Sequence, residues 1–178
     1  MYPATAGELL KLITLMKLFK GLAYTLGIAA ALSAFTACDD DDDIKVDDDF
    51  KSALEQVEPD LTNVKWEKKG QWKVAEGYKD RYDVDVWFDH NTRWVMTETD
   101  YNTDITAVEP AVKAAIEKSK YATYVVDDVE YYKRPDMNFY EVEMELKGQK
   151  DAYLYIKDNG EMLLETTNDI DVRPDTTF

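Results

Sequence analysis

The sequence has little of what chemistry most often uses. One cysteine, Cys38, and one histidine, His90, stand among 178 residues, and glycine occurs seven times. A lone thiol leaves no pair for an internal disulfide and no set of thiolates for zinc. The glycines form no phosphate-cradling loop, and no carboxylate spacing matches an EF-hand. Basic residues are scarce as well: 21 Lys and Arg face 37 Asp and Glu, for a formal charge of −16. Such a surface repels phosphate backbones and anionic lipid heads, so nucleic acid is not expected as a partner and electrostatic membrane binding is disfavoured. No apolar run makes a confident membrane span, which takes about 20 residues. An apolar content of 45% is still enough to bury a core.

What is present begins at Met16 with MKLFKGLAYTLGIAAALSAFTAC. Lys17 and Lys20 form a basic region, Leu22 to Leu32 an apolar one, and small residues lead to Cys38, the order of a secretory signal. Phe35-Thr36-Ala37-Cys38 resembles a bacterial lipobox with Phe35 where Leu is usual. The resemblance implies cleavage before Cys38, acylation of that residue, and anchoring in the bacterial cell envelope, periplasmic or at the outer-membrane surface. The aspartates that follow, Asp39 to Asp43, then read as a solvated tether that repels itself. The bland alternative is a free cysteine ending a buried helix. Met1 to Leu15 precede a complete signal, so translation is expected to start at Met16; an extended basic region is the alternative. The expected organisation is a signal peptide over 1–37, lipidated Cys38 and tether over 38–46, a folded domain over 47–168 and a C-terminal tail over 169–178.

Within the domain, Phe50, Ala53, Leu54 and Val57 fall at i, i+3, i+4 and i+7, the spacing of one helical face, and Pro59 closes the segment. Val64 to Glu67, Tyr82 to Phe88 and Trp94 to Met96 then alternate as strands. A second round opens at Thr106-Ala-Val-Glu109, which has capping-box form, with Pro110 in the first turn and Val108, Val112, Ala115 and Ile116 as the apolar stripe. Strands follow at Val129 to Tyr132, Phe139 to Leu146, Ala152 to Ile156 and Met162 to Leu164, with hairpin turns at Lys147 to Lys150 and Asp158-Asn159-Gly160. Lys51 to Glu55 matches Lys113 to Glu117, and Trp87 to Thr99 matches Tyr155 to Thr167. The predicted fold is α+β: a tandem repeat, about 47–104 and 105–168, of a helix followed by about four antiparallel strands, with helices on one face of the sheet.

Alternation assigns side chains to faces. Val84, Val86, Phe88, Ala152, Leu154 and Ile156 point to the helices, which leaves Asp83, Asp85, Trp87, Tyr153, Tyr155 and Lys157 on the other side. Trp87, Tyr132, Phe139, Tyr153 and Tyr155, set among carboxylates, make a candidate binding surface for a partner with a basic surface. The alternative is that these rings only form cross-strand pairs. Elsewhere the inventory is thin. His90 aligns with a hairpin turn and is expected there, exposed, so no catalytic residue is assigned. Calcium at Asp39 to Asp43 or Asp127-Asp128 is less expected than plain solvated charge, and Glu141 with Glu143 is too ordinary a pair to signal glycosidase chemistry. No metal or cofactor is assigned.

The order of helices and strands over Asp47 to Asn168 resembles the PepSY-like family of bacterial envelope proteins, also described as β-lactamase-inhibitor-like. The resemblance implies helices on an antiparallel sheet and non-catalytic binding of another protein, inhibiting or sensing a secreted enzyme such as a peptidase, through the open sheet face. The disulfides of the β-lactamase inhibitor are missing here, and no inhibitory residue carries over. Two other classes remain: small-ligand or glycan capture by the same aromatics, and a hydrolase working through carboxylates.

Overall fold

The computed structural model describes residues 44–178, so the predicted signal sequence, Cys38 and the Asp39–Asp43 run lie outside the described residues. Helix α1 spans Asp48–Val57 and buries Phe50 and Leu54, the predicted stripe. Asp48 and Asp49 occupy its first turn, where the positive end of the helix dipole favours carboxylates. Eight strands follow in two groups: β1 (Thr62–Lys69), β2 (Trp72–Lys79), β3 (Tyr82–Phe88) and β4 (Trp94–Asp100), then, after helix α2 (Pro110–Lys118), β5 (Val125–Lys133), β6 (Asn138–Glu145), β7 (Ala152–Lys157) and β8 (Met162–Thr166). All eight form one sheet in sequence order, and every neighbouring pair is antiparallel.

One local expectation is corrected, and one strand appears that the sequence pattern does not mark directly. The capping box at Thr106 and Glu109 does not form: a 3-10 turn at Ile105–Ala107 precedes α2, and Asp104 accepts from Thr106 N–H in its place. Helix α2 instead begins at Pro110, with Glu109 at its cap position making no side-chain bond. Proline has no N–H to satisfy and a ready φ for a first turn, which is why the helix can start there without a side-chain cap. Strand β2 has no clean period in the sequence, because Val74 and Ala75 are adjacent and both fully buried. Adjacent strand residues point to opposite faces, so both faces of the sheet are covered at that point.

Toward the helices lie two apolar clusters. Phe50, Leu54, Trp66, Ala75, Val84, Val86 and Phe88 pack beneath α1, with the Phe50, Trp66 and Phe88 rings 5.8–6.3 Å apart. Val108, Val112 and Ile116 of the α2 region meet Val129, Val142, Met144, Leu154 and Ile156. Each fully buried aliphatic or phenyl side chain contributes about 1.5–3 kcal/mol, so these clusters are what hold the helices down. A third cluster lies on the opposite face: Val74, Trp87, Met96, Tyr132, Phe139 and Tyr155, closed by Val172. Segment 169–178, which strand periodicity alone leaves outside the domain, supplies that cover.

The two halves share irregularities. A register shift falls between Trp87 and Phe88 of β3 and another between Tyr155 and Ile156 of β7. Positive φ occurs at Asp80 and Thr92 in the first half and at Gly148 and Gly160 in the second.

Candidate binding face

Strand register builds the face turned away from the helices. Glu76 stands opposite Asp85, and Asp85 opposite Glu98. Across the middle of the sheet, Glu98 faces Tyr132, Glu130 faces Glu141, and Glu141 faces Tyr155. Carboxylates directly opposite one another on a sheet repel, so this row has to be compensated. Lys69 does so at one end: its Nζ lies 2.7 Å from Glu67 Oε1, 3.1 Å from Glu76 Oε1 and 2.8 Å from Asp85 Oδ2. Oxygens of those three side chains lie within 4.8 Å of one another, as a metal would require, but the ammonium fills the position.

At the centre of the sheet compensation comes from protons and tyrosines. Burial pushes the Glu98 carboxyl up to about 8, helped by the charges of Glu130 and Asp85. Burial likewise lifts Glu141 to about 8 against the hydrogen bond from Tyr155, with Glu130 and Asp169 adding to the rise. Tyr155 donates to Glu141 Oε1 at 2.8 Å, Tyr132 to Glu130 Oε2 at 2.6 Å, and Tyr153 to Glu143 Oε1 at 3.1 Å. The tyrosines therefore serve the carboxyls as donors. Their own ionisation is suppressed first by burial, which raises Tyr132 and Tyr155 far above the ordinary phenol.

All five sequence-predicted aromatics lie on this face, but the face is not open where they stand. Trp87 and Tyr132 are 3% exposed, Phe139 and Tyr155 0%; only Tyr153 is half-buried. The expectation of exposed rings is corrected because segment 169–178 lies over them. Ile170 and Val172 join the third cluster, and the Phe178 ring centroid sits 5.0 Å from that of Phe139 and 4.7 Å from that of Tyr155. Between sheet and segment lies a cavity of about 410 Å³, lined among others by Lys69, Trp87, Glu98, Glu130, Glu141 and Asp171. Trp87 Nε1 finds no hydrogen-bond partner among the described residues.

Sequence reasoning missed Lys69, Glu98, Glu130 and Arg134 as parts of this face. Alternation around Trp87 and Met96 would have placed Glu98, and the Ile170-Asp-Val172 alternation hinted that 169–178 packs. Nothing local marked Arg134, a buried guanidinium whose partners are main-chain oxygens some 40 positions further on. His90 is exposed in the β3–β4 turn, as expected, and bonds Asn91. A larger groove, about 630 Å³, runs between α1 and edge strand β1 beside Leu54, Leu61, Val64 and Trp66. Its buried carboxylate, Glu58, is taken by Lys79 at 2.6 Å, so the convergent polar groups lie on the sheet face instead.

The sequence profile of a family described as "Putative beta-lactamase-inhibitor-like, PepSY-like" matches residues 78–164. A crystal structure of a BLIP-like protein from Bacteroides fragilis superposes with TM-score 0.65 at 35% identity, covering 73% of this chain and 93% of that one. A DUF2874 family protein from Bacteroides uniformis gives TM-score 0.62 at 26% identity, covering 68% and 89%. A Bacteroides eggerthii protein described as "putative periplasmic" shares the fold, with TM-score 0.61 at 22% identity over 68% and 88% of the two chains. No curated protein matches significantly.

Proposed function

The chain belongs to the PepSY-like, β-lactamase-inhibitor-like family, and from that premise we propose that it is a non-catalytic protein that binds another protein through the sheet face turned away from the helices. One observation carries the reading: that face gathers Glu98, Glu130 and Glu141 around a cavity floored by Trp87 and Tyr132, an acidic centre in an aromatic setting. Aromatic anchors ringed by charge are the usual make-up of a protein-binding hot spot. Among the described residues no serine, cysteine or histidine lines that cavity. Glycan capture by the same aromatics is less well supported: residues 169–178 bury those rings against either kind of partner, and the acidic centre of the face favours a basic protein surface over a neutral sugar.

The protein works in the bacterial envelope, carried there by the signal segment Met16 to Ala37 and held by acylated Cys38. Support comes from the order of basic, apolar and small segments before Cys38 and from the periplasmic description of the B. eggerthii neighbour. Among the described residues no helix is long and apolar enough to cross a membrane. The two halves are copies of one helix-and-four-strand unit, which the paired register shifts and turn conformations support.

The test is capture from envelope extract of the source organism by the full chain, run beside a Tyr78→Ala/Asp83→Lys variant at the rim of the face and a Glu117→Lys control on α2. All three of these side chains are exposed, so folding is spared. A protein held by the parent and the control but lost from the rim variant is the expected result. Retention insensitive to the rim, or no specific retention by the parent, overturns the reading.

A further inference from the structure

Segment 169–178 is held on the sheet by two different kinds of contact. Its side chains Ile170, Val172 and Phe178 fill apolar and aromatic ground provided by Trp87, Phe139 and Tyr155. Its backbone is gripped separately. Ile170 N–H donates to Tyr155 Oη at 3.3 Å, while Arg134 Nη1 and Nη2 donate to Thr176 O at 2.7 Å and Arg173 O at 2.5 Å. Arg173 and Thr176 close a turn, Thr176 N–H donating to Arg173 O at 3.0 Å, so the buried guanidinium grips the two ends of that turn through main-chain oxygens, without reading its side chains. Selectivity is left to the side chains.

The charges do not fit as the apolar groups do. Asp169 lines a small cavity of about 120 Å³ with Asp128, Glu130, Glu141 and Glu143, and Asp171 lines the larger one with Glu98 and Glu130. The cations nearby are already engaged: Lys69 with Glu67, Glu76 and Asp85, and Arg173 with Asp171 itself at 2.6 Å. The segment therefore brings Asp169, with no ion pair among the described residues, to a cavity lined by carboxylates, while the charge of Asp171 is met by Arg173 of the same segment; like charges repel. A segment with a cation at the first place would gain what this one loses, and one with a cation at the second would meet Glu98 and Glu130 instead of an arginine of its own. The larger cavity, about 410 Å³, also leaves room for a side chain longer than aspartate.

We propose that this face is a docking site for a segment of a partner protein, one that matches 169–178 in its turn and at Ile170, Val172 and Phe178 and carries lysine or arginine where this chain has Asp169 and Asp171. Segment 169–178 is the displaceable stand-in for that partner. The inference rests on the reading of the face as protein-binding and names the chemistry of what binds there.

Two synthetic peptides test it: residues 169–178 as they stand, and the same peptide with Asp169→Lys and Asp171→Lys. Each is titrated by calorimetry into the full chain and into a Val172→Asp/Phe178→Ala variant, in which the face is intact but its own cover is weakened. Phe178→Ala alone serves if circular dichroism shows the double variant unfolded. The weakened variant should bind the lysine peptide about tenfold more tightly than the aspartate peptide, with the gap narrowing in high salt. The parent should bind the lysine peptide more weakly than the variant does, because its own segment competes. Adding Glu98→Gln and Glu141→Gln should shrink the preference for lysine while leaving the aspartate peptide bound.

No saturable binding of the lysine peptide to a folded, weakened variant overturns the proposal, as does equal affinity for the two peptides. The outcomes separate this inference from the broader one. Rim-dependent capture without peptide selectivity keeps the broader reading and discards the docking site, whereas rim-insensitive capture without peptide selectivity discards both.

Discussion

Glu98 and Glu141 both titrate at about 8, burial being the leading cause in each. An ordinary glutamate titrates near 4.5, so each binds its proton more tightly in the folded chain than in the unfolded one. The stability they contribute is complete below about pH 4.5 and is lost as pH rises through 8. Burial shifts Asp85 and Glu130 in the same direction. The thermal midpoint should accordingly fall between pH 5 and 9, and Glu98→Gln should flatten that fall; a mutant profile parallel to the parent's in scanning calorimetry would refute the assignment. Lys69 gives a second prediction. Removing its ammonium with Lys69→Ala leaves three carboxylates converging, at a cost of about 2 kcal/mol for a half-buried network. Millimolar calcium should restore part of that loss in urea titrations and do little for the parent, since the vacated position suits a cation. The face assignment of these residues was legible from alternation alone. Their burial was not, because what covers Trp87 is Val172, a residue 85 positions away with no period linking the two.

At the scale of elements, turns were read best and starts of elements worst. Asp158-Asn159-Gly160 was recognisable as a hairpin turn because Asn-Gly suits positive φ, and Gly160 has φ 87°. What the pattern could not show is that this turn abuts α2: a Cβ on Gly160 would lie 2.7 Å from Ala111 O. Gly160→Ala should thus cost about 2 kcal/mol or more, combining backbone strain with displacement of the helix start. Gly148→Ala, with φ 83° but open space around it, should cost nearer 1 kcal/mol. Chemical denaturation of the two variants decides the matter; equal losses would mean that the contact with α2 contributes nothing. The start of α2 was misplaced for a related reason, since Thr106 and Glu109 have the right spacing but Asp104 reaches the Thr106 N–H first. Strand β2 escaped direct recognition because a strand covered on both faces loses the alternation that betrays one.

For the molecule as a whole, a formal charge of −16 is borne by a fold that lines up its carboxylates across one sheet. Folding brings those charges closer than the unfolded chain does, so screening should favour the folded state. The thermal midpoint is expected to rise with sodium chloride at pH 9, where Glu98 and Glu141 are ionised, and to respond less at pH 5; a salt response independent of pH would count against repulsion on this face. The overall architecture was legible because helix and strand periods are local. The closure of the second face was not, since it depends on a distant segment meeting a finished sheet. That dependence also gives the face a history. Synthesis runs from the N-terminus, so all eight strands precede Asp169, and the cover follows the sheet that it closes. Trp87, Tyr132, Phe139 and Tyr155 are thus covered by the part of the described chain that is made last. Closing this face is therefore a step that the order of the chain places after the strands themselves.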